Sequence, residues 1–409
     1  VAVDSFALLF LFLIARRLFS TRVAVWAGVF FLINPFIFFY DRIALADGPL
    51  MTLFALACWL ALRVADGRQP LRSGLALGAA IGLAILTKLS GVLVWSVPLL
   101  AIVSAADWRG ALRQWRAWLL AWFAAALLYA PAWVVGAGQY QLGAKSVLAM
   151  EPDEIAAQLG ANLALLVEWL SGYSPGLLGL LIVTALLVAL RLKRRSIMWV
   201  VGALLPMAFF VVVSRVWYPR YVLFAFIPLA LLCGLLLAQV AQWVMRAPRT
   251  VAVGALALGL AAIFAPSLYF DYTIATDPPS APFPSIERWQ YVADWPAGYG
   301  VAGAAAYLHE AAAQSEDGIH VMRHNRSSPV LEALELYLRD DPKITLHSMN
   351  LTFDNTPNRL TALFKQKPTY VVLDPPREGY DFQERYPLAY PRARFPKPGD
   401  QSAIVIYQW

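Results

Sequence analysis

The 409-residue chain is short of charge. Asp, Glu, Lys and Arg make up 14% of it, against 60% apolar residues and a mean hydropathy of +0.58. No soluble domain of this length requires so much apolar surface. Cysteine is nearly absent. Cys58 and Cys233 both sit inside apolar runs, which argues against a disulfide or a thiolate metal site and leaves two small core residues. The formal net charge is +7, but the basic residues fall in short loops between apolar runs. That is the pattern of a bilayer protein, so no nucleic-acid partner is expected. A signal peptide is also lacking. Val1 stands inside an apolar run with no basic start and no small-residue cleavage site, so the N-terminus of a longer chain is expected upstream.

The apolar excess lies almost wholly before Asp271, after which the chain becomes polar and Pro-rich. Two parts are predicted: a polytopic membrane core over 1–272, joined by a linker at 273–284 to a water-exposed domain at 285–409. The apolar spans read as Val1–Ala15, Val23–Tyr40, Pro49–Val64, Gly74–Thr87, Gly91–Ser104, Trp118–Gly136, Pro175–Leu190, Ile197–Val213, Tyr221–Val244 and Val251–Phe270. Most approach the roughly 17–25 residues a bilayer crossing needs. Gly74–Thr87 and Gly91–Ser104 are short, either two half-spans meeting at Lys88 or one kinked helix.

Loop charge sets the orientation. Five basic clusters follow the spans: Arg16/Arg17/Arg22, Arg63/Arg68/Arg72, Arg109/Arg113/Arg116, Arg191 with Lys193–Arg195, and Arg246/Arg249. Two crossings around Lys88 place all five on one face, which the positive-inside rule makes cytoplasmic. The opposite face then carries Asp41–Asp47, Lys88, Ala137–Ser174, Ser214–Arg220 and the C-terminal domain. Asp153–Leu170 has helical spacing and mixed polarity, and reads as an amphipathic helix on that outer surface.

Beyond residue 285 the chain alternates helical patterns (Val301–Gln314, Pro329–Arg339, Pro357–Gln366) with strand patterns (Ile319–Met322, Ile344–His347, Tyr370–Leu373, Ser402–Gln408). This predicts a small α/β domain with a mainly parallel sheet. Gly298-Tyr299-Gly300 reads as a turn and helix start, because the full nucleotide-binding glycine fingerprint is missing. His320 and His324 would suit zinc only on a helix, and here they flank a strand end. Asn325-Arg326-Ser327 and Asn350-Leu351-Thr352 match the glycosylation sequon, a short pattern that also arises by chance.

Three groups on the outer face bear on function. Arg42 and Asp47, within DRIALADGPL, read equally well as a solvated loop before a helix start or as a guanidinium and a carboxylate facing a cavity. Arg220-Tyr221, after Trp217-Tyr218-Pro219, reads as an interfacial aromatic belt or as a phosphate clamp. Lys88, inside an apolar stretch of about thirty residues, needs a partner, water or a lipid phosphate. Together they suggest a site for a lipid-linked phosphate. Its chemistry would be displacement at a sugar carbon, with a carboxylate to take the acceptor proton and cations to stabilise the departing phosphate. Lys88, Arg220 and Tyr221 would bind the donor phosphate, with Asp47 and Arg42 on the catalytic side.

The run ARRLFSTRVAVWAGVFFLINPFIFFYDRIALADGPL, then LTKLSG and PRYVLFAFIPLALL, resembles the membrane core of family 39 glycosyltransferases of the GT-C superfamily. That family includes protein O-mannosyltransferases and aminoarabinose transferases. YVADWPAGYGV and the tail after it are similar to the C-terminal region of some bacterial members. The resemblance implies a mainly α polytopic membrane protein, a GT-C-like helical bundle with a C-terminal extramembrane α/β domain, in the bacterial cytoplasmic membrane with that domain extracytoplasmic. It implies a polyprenyl-phosphate sugar donor and a protein, lipid or polysaccharide acceptor. No cofactor is implied, and a divalent metal is compatible with it. Asp47 falls where the family has an assisting acidic residue, and Arg220-Tyr221 where it has a late Arg-Tyr pair near the lipid phosphate. The family's principal acidic residue lies in a loop upstream of Val1, so this fragment is expected to be inactive. The competing class is a lipid or solute transporter, against which stand the missing internal repeat and the gathering of charge at one face.

Overall fold

The computed structural model describes residues 2–43, 45–147, 151–173, 175–191, 196–246, 248–294, 296–324, 329–349, 356–374, 382, 386–399 and 402–409. Two compact units divide the chain, Val1–Thr276 and Asp277–Trp409.

The first unit is helical. It opens with α1 (Ala2–Leu18), α2 (Thr21–Ile33), α3 (Pro35–Tyr40), α4 (Asp47–Ala65) and α5 (Pro70–Thr87). A 3-10 segment, Leu89–Ser96, leads into α6 (Val97–Ser104), α7 (Trp108–Arg113) and α8 (Trp115–Val147). Then come α9 (Pro152–Tyr173), α10 (Leu177–Arg191) and α11 (Ile197–Val213). A second 3-10 segment, Pro219–Ala225, precedes α12 (Phe226–Val244) and α13 (Arg249–Thr276). Among the described residues six helical stretches are long and apolar enough to cross a bilayer: 47–65, 70–87, 115–136, 153–173, 219–244 and 250–276. Exposed Leu, Val and Phe side chains along α8 and α13, such as Phe123 at 66% and Leu258 at 74%, are what a lipid-facing helix presents.

Two sequence breaks shape this unit. Asn34 stops α2, and its buried Oδ1 accepts the amides of Phe36 and Ile37, with Pro35 in the first turn of α3. The single apolar run expected from Val23 to Tyr40 is therefore two helices. Lys88 stops α5 in extended conformation (φ −160°, ψ 145°), and Gly91 packs directly on the backbone of Ala84 and Ile85. The chain thus doubles back at Lys88, as two crossings require and one kinked helix does not. Along α5, Gly74 and Gly78 lie against the backbone of Ala117 and Ala121 of α8, too close for a Cβ, and Gly82 lies against the Leu128 side chain. This small-residue spacing lets membrane helices approach closely where no hydrophobic force drives them together.

Three of the basic loops meet at one end. Arg17 at the end of α1 pairs with Asp66 and donates to the Leu62 carbonyl at 3.1 Å, and the side chain of Gln114 lies against Gly67. A cavity of about 550 Å³ opens there between the ends of α1, α4 and α6. The loop at 192–195 lies outside the described residues. At the other end α9 keeps one set of neighbours along its length. Glu154 pairs with Arg215 at 2.5 Å, the Asn162 amide donates to the carbonyls of Val211 and Ser214, Trp169 packs on Trp217, and Tyr173 packs on Phe36 and Tyr40. These partners belong to α3, to the end of α11 and to the segment that follows it.

In the second unit, α14 (Ser285–Arg288) leads to α15 (Val301–Gln314), which follows Gly300 in left-handed conformation at φ 89°. The strands are β1 (Ile319–His324), β2 (Ile344–Met349), β3 (Thr369–Leu373), β4 (Tyr390–Pro396) and β5 (Ala403–Gln408). Helix α16 (Pro329–Leu338) follows β1, and α17 (Thr356–Phe364) follows β2. The sheet order is β2-β1-β3-β5-β4, with β1 parallel to β2 and β3, and both pairings of β5 antiparallel. The sheet is therefore mixed, not mainly parallel. Strand β4 escaped the sequence pattern because YPRARFP is largely exposed and carries two prolines, which only an edge strand tolerates. Leu308, Leu334, Val321, Val372 and Ile406 form the core on one face of the sheet, and Met322, Val371, Leu360, Phe382 and Trp409 the core on the other.

The side chain of His324 lies outside the described residues, and His320 has another histidine beside it. It faces His347 across β1 and β2, with Nδ1 and Nε2 3.0 Å apart. Burial holds both imidazoles below the ordinary histidine range, helped by Lys367 at His320 and by His320 at His347. A depressed folded pKa adds stability that is complete above the unfolded value of about 6.5 and is lost as pH falls. Thermal unfolding of the wild-type protein is expected to shift to lower temperature between pH 7 and pH 5, with the His347→Gln variant showing a smaller shift. Equal shifts would remove the pair from the acid response. Both sequons lie outside the described residues.

Candidate functional site

Asp47 opens α4, and its carboxylate is 4% exposed. The helix dipole favours an acid in the first turn, but a buried carboxylate still needs a cation. Lys88, 41 residues on, supplies it: Nζ lies 2.5 Å from Oδ1 of Asp47. The hinge that ends α5 makes this reach possible, since Lys88 sits at the turn where the chain reverses.

The ammonium also lies 4.2 Å above the ring of Tyr221, a cation–π contact. Tyr221 belongs to the 3-10 segment that Pro219 starts, and its amide bonds to the Tyr218 carbonyl at 3.0 Å. Phe210 packs on Tyr221 from one side and Tyr218 from another, and Phe54 of α4 packs on Phe224. The guanidinium of Arg220 sits 4.4 Å from the Tyr218 ring and 5.6 Å from that of Tyr221, within hydrogen-bonding reach of the Tyr221 hydroxyl. It is also near enough to Lys88 to repel its charge.

Four of the five residues expected from sequence therefore meet: Asp47, Lys88, Arg220 and Tyr221. Two cations and a phenol stand around one buried carboxylate. This set holds a charge surplus that an oxyanion would balance, and Arg and Tyr both donate to phosphate oxygens.

The contacts of Arg42, the fifth expected residue, lie on Phe38. Its guanidinium stacks 3.2 Å from the Phe38 ring and donates to the Phe38 carbonyl at 2.8 Å, one turn back in α3. It also lies close enough to Asp271 on α13 to interact with its carboxylate. The cause is local. Arg42 follows α3, whose last turn offers a carbonyl and an aromatic face at i−4, while Asp47 turns inward with the next helix.

Sequence reasoning passed over Tyr218 and Asp271. Tyr218 was read only as part of an aromatic belt. Asp271 served as a boundary, although it is the sole acid within α13 and is 6% exposed. Among the described residues no group of three or more His, Cys, Asp or Glu is placed to hold a metal ion.

Residues 2–134 match the family described as dolichyl-phosphate-mannose-protein mannosyltransferase, a match that includes Asp47 and Lys88. Crystal structures of ArnT from Cupriavidus metallidurans, bound to undecaprenyl phosphate and in the apo state, superpose with TM-scores of 0.59. Their identities to this chain are 17% and 18%, over 99% of this chain and 82% of theirs. The chain therefore shares its fold with ArnT over nearly its whole length. The resemblance read from its motifs agrees with both comparisons, and the chain is a multi-pass membrane protein of that fold. No curated protein matches the chain.

Proposed function

We propose that this protein is a membrane glycosyltransferase that moves a sugar from a polyprenyl-phosphate donor to an acceptor at the outer face of the bacterial cytoplasmic membrane. The observation that carries this reading is the Asp47–Lys88–Tyr221–Arg220 cluster, drawn from three separate segments of the chain. The similarity in fold to ArnT with bound undecaprenyl phosphate supports a polyprenyl phosphate as the lipid.

In the displacement the acceptor oxygen forms a bond to the anomeric carbon and passes its proton to a carboxylate base. The carbon–oxygen bond to phosphate breaks, and its electron pair leaves with the phosphate. Lys88 and Arg220 stabilise the charge that develops there, a term that grows in the transition state. Tyr221 donates its hydroxyl proton in a hydrogen bond to the same group. Asp47 orients Lys88 and lowers the cost of holding it dehydrated. The basic loops that meet at the opposite end of the bundle support an outward-facing cluster under the positive-inside rule.

The test uses the full-length purified protein with a radiolabelled polyprenyl-phosphate sugar and an acceptor extract. Release of polyprenyl phosphate that depends on acceptor is expected. A protein that moves the intact lipid across vesicles without cleaving it would instead be a transporter.

A further inference from the structure

Arg42, set apart from the phosphate cluster, marks a second site. A cavity of about 270 Å³ lies beside it in the first unit. It exists because the chain breaks at Asn34 and Pro35, so that α3 leaves α2 and opens a groove against α1. Leu8 of α1, Leu32 of α2, and Ile37 and Phe38 of α3 form its apolar wall, while Asp41 and Arg42 stand together at its polar end.

The wall is open to the surroundings. Leu32 is 59% exposed, and Leu9 and Val25 on the same two helices are exposed as well. In a helix bundle crossing a bilayer, such a surface meets acyl chains and not water. The polar end sets the head group. A guanidinium carries five N–H donors, and one of them donates to the Phe38 carbonyl. Its neighbours are acids: Asp41 within the same groove, and Asp271 close enough to interact with Arg42. One cation among two carboxylates disfavours a head group carrying only negative charge. A zwitterion with a phosphate and a primary ammonium matches both signs, phosphate on Arg42 and ammonium on Asp41.

We propose that the groove between α1, α2 and α3 holds one aminophospholipid, its acyl chain along Leu8, Leu32 and Ile37 and its head group bridging Arg42 and Asp41. The site is distinct from the Lys88–Arg220 cluster and does not depend on the transferase reading. Because Asp41 begins the loop that ends at Asp47, a seated lipid also braces the approach to that cluster.

The test places the full chain in nanodiscs of equal parts phosphatidylethanolamine, phosphatidylglycerol and phosphatidylcholine, releases it into mild detergent, and counts retained lipid by native mass spectrometry. One phosphatidylethanolamine per chain is expected, its odds over the other two lipids raised roughly tenfold, from about 1:2 in the bulk to about 5:1 at the site, the size of one charge-assisted hydrogen bond. Arg42→Ala should return retention to the bulk ratio. Leu32→Trp, at an exposed position that fills the groove, should do the same without lowering the unfolding temperature. Enrichment of phosphatidylglycerol, retention at the bulk ratio in wild type, or enrichment that survives both variants would each overturn the proposal.

Discussion

Lys88→Ala is expected to lower the rate of polyprenyl-phosphate release by about 10²–10³-fold, the loss usual when one preorganised charge-stabilising group is removed. The effect should fall on kcat more than on KM, because the phosphate gains charge only as its bond to the sugar breaks. Asp47→Asn should cost less. Its amide still accepts a hydrogen bond from Lys88, but the charge that holds the ammonium at 2.5 Å is gone. Lys88→Arg should restore only part of the rate. A planar guanidinium does not fit a seat built for a compact ammonium between Asp47 and the Tyr221 ring. Comparing Lys88→Ala with the double variant Asp47→Asn/Lys88→Ala, which leaves no unpaired carboxylate, in the same detergent separates loss of chemistry from loss of fold. Full turnover in Lys88→Ala would remove Lys88 from the site.

Lys397→Met is expected to destabilise the C-terminal unit by about 3–5 kcal/mol, the usual result of leaving a buried charge without its partner. Lys397 and Asp374 are both 0% exposed in their side chains and lie 2.8 Å apart, and the ammonium also donates to the Asp294 carbonyl at 3.1 Å. Burial is the larger influence on each. It pushes the Asp374 carboxyl up to about 6, against the pull of Lys397, and it pushes the Lys397 ammonium down. Desolvation that outweighs attraction is the condition under which a buried pair adds little net stability. The double variant Asp374→Leu/Lys397→Met should therefore recover most of the loss. Thermal unfolding followed by proteolytic susceptibility of the C-terminal unit on heating checks both outcomes. A double variant no better than the single would mean that the pair itself supplies the stability.

Much of the fold was legible. The apolar runs marked the crossings because an ion in hydrocarbon is expensive wherever it occurs, so sparse charges mark boundaries without any knowledge of neighbours. The alternation after residue 300 marked an α/β domain for the same local reason, side-chain period. Strand β4 was missed because an exposed edge strand has no buried face to impose that period. The break at Asn34 was overlooked because apolar residues continue on both sides of it.

The sequence by itself determined that Asp47, Lys88, Arg220 and Tyr221 are polar groups stranded at the ends of apolar spans, and that the basic loops gather away from them. It did not determine which of these groups meet. Arg42 is five residues from Asp47 and donates to the Phe38 carbonyl, whereas Lys88 is 41 residues away and pairs with Asp47. That outcome belongs to tertiary structure. A helix carbonyl one turn back captured the near cation, and a hinge in extended conformation, locked by the close packing of Gly91 on Ala84, delivered the distant one.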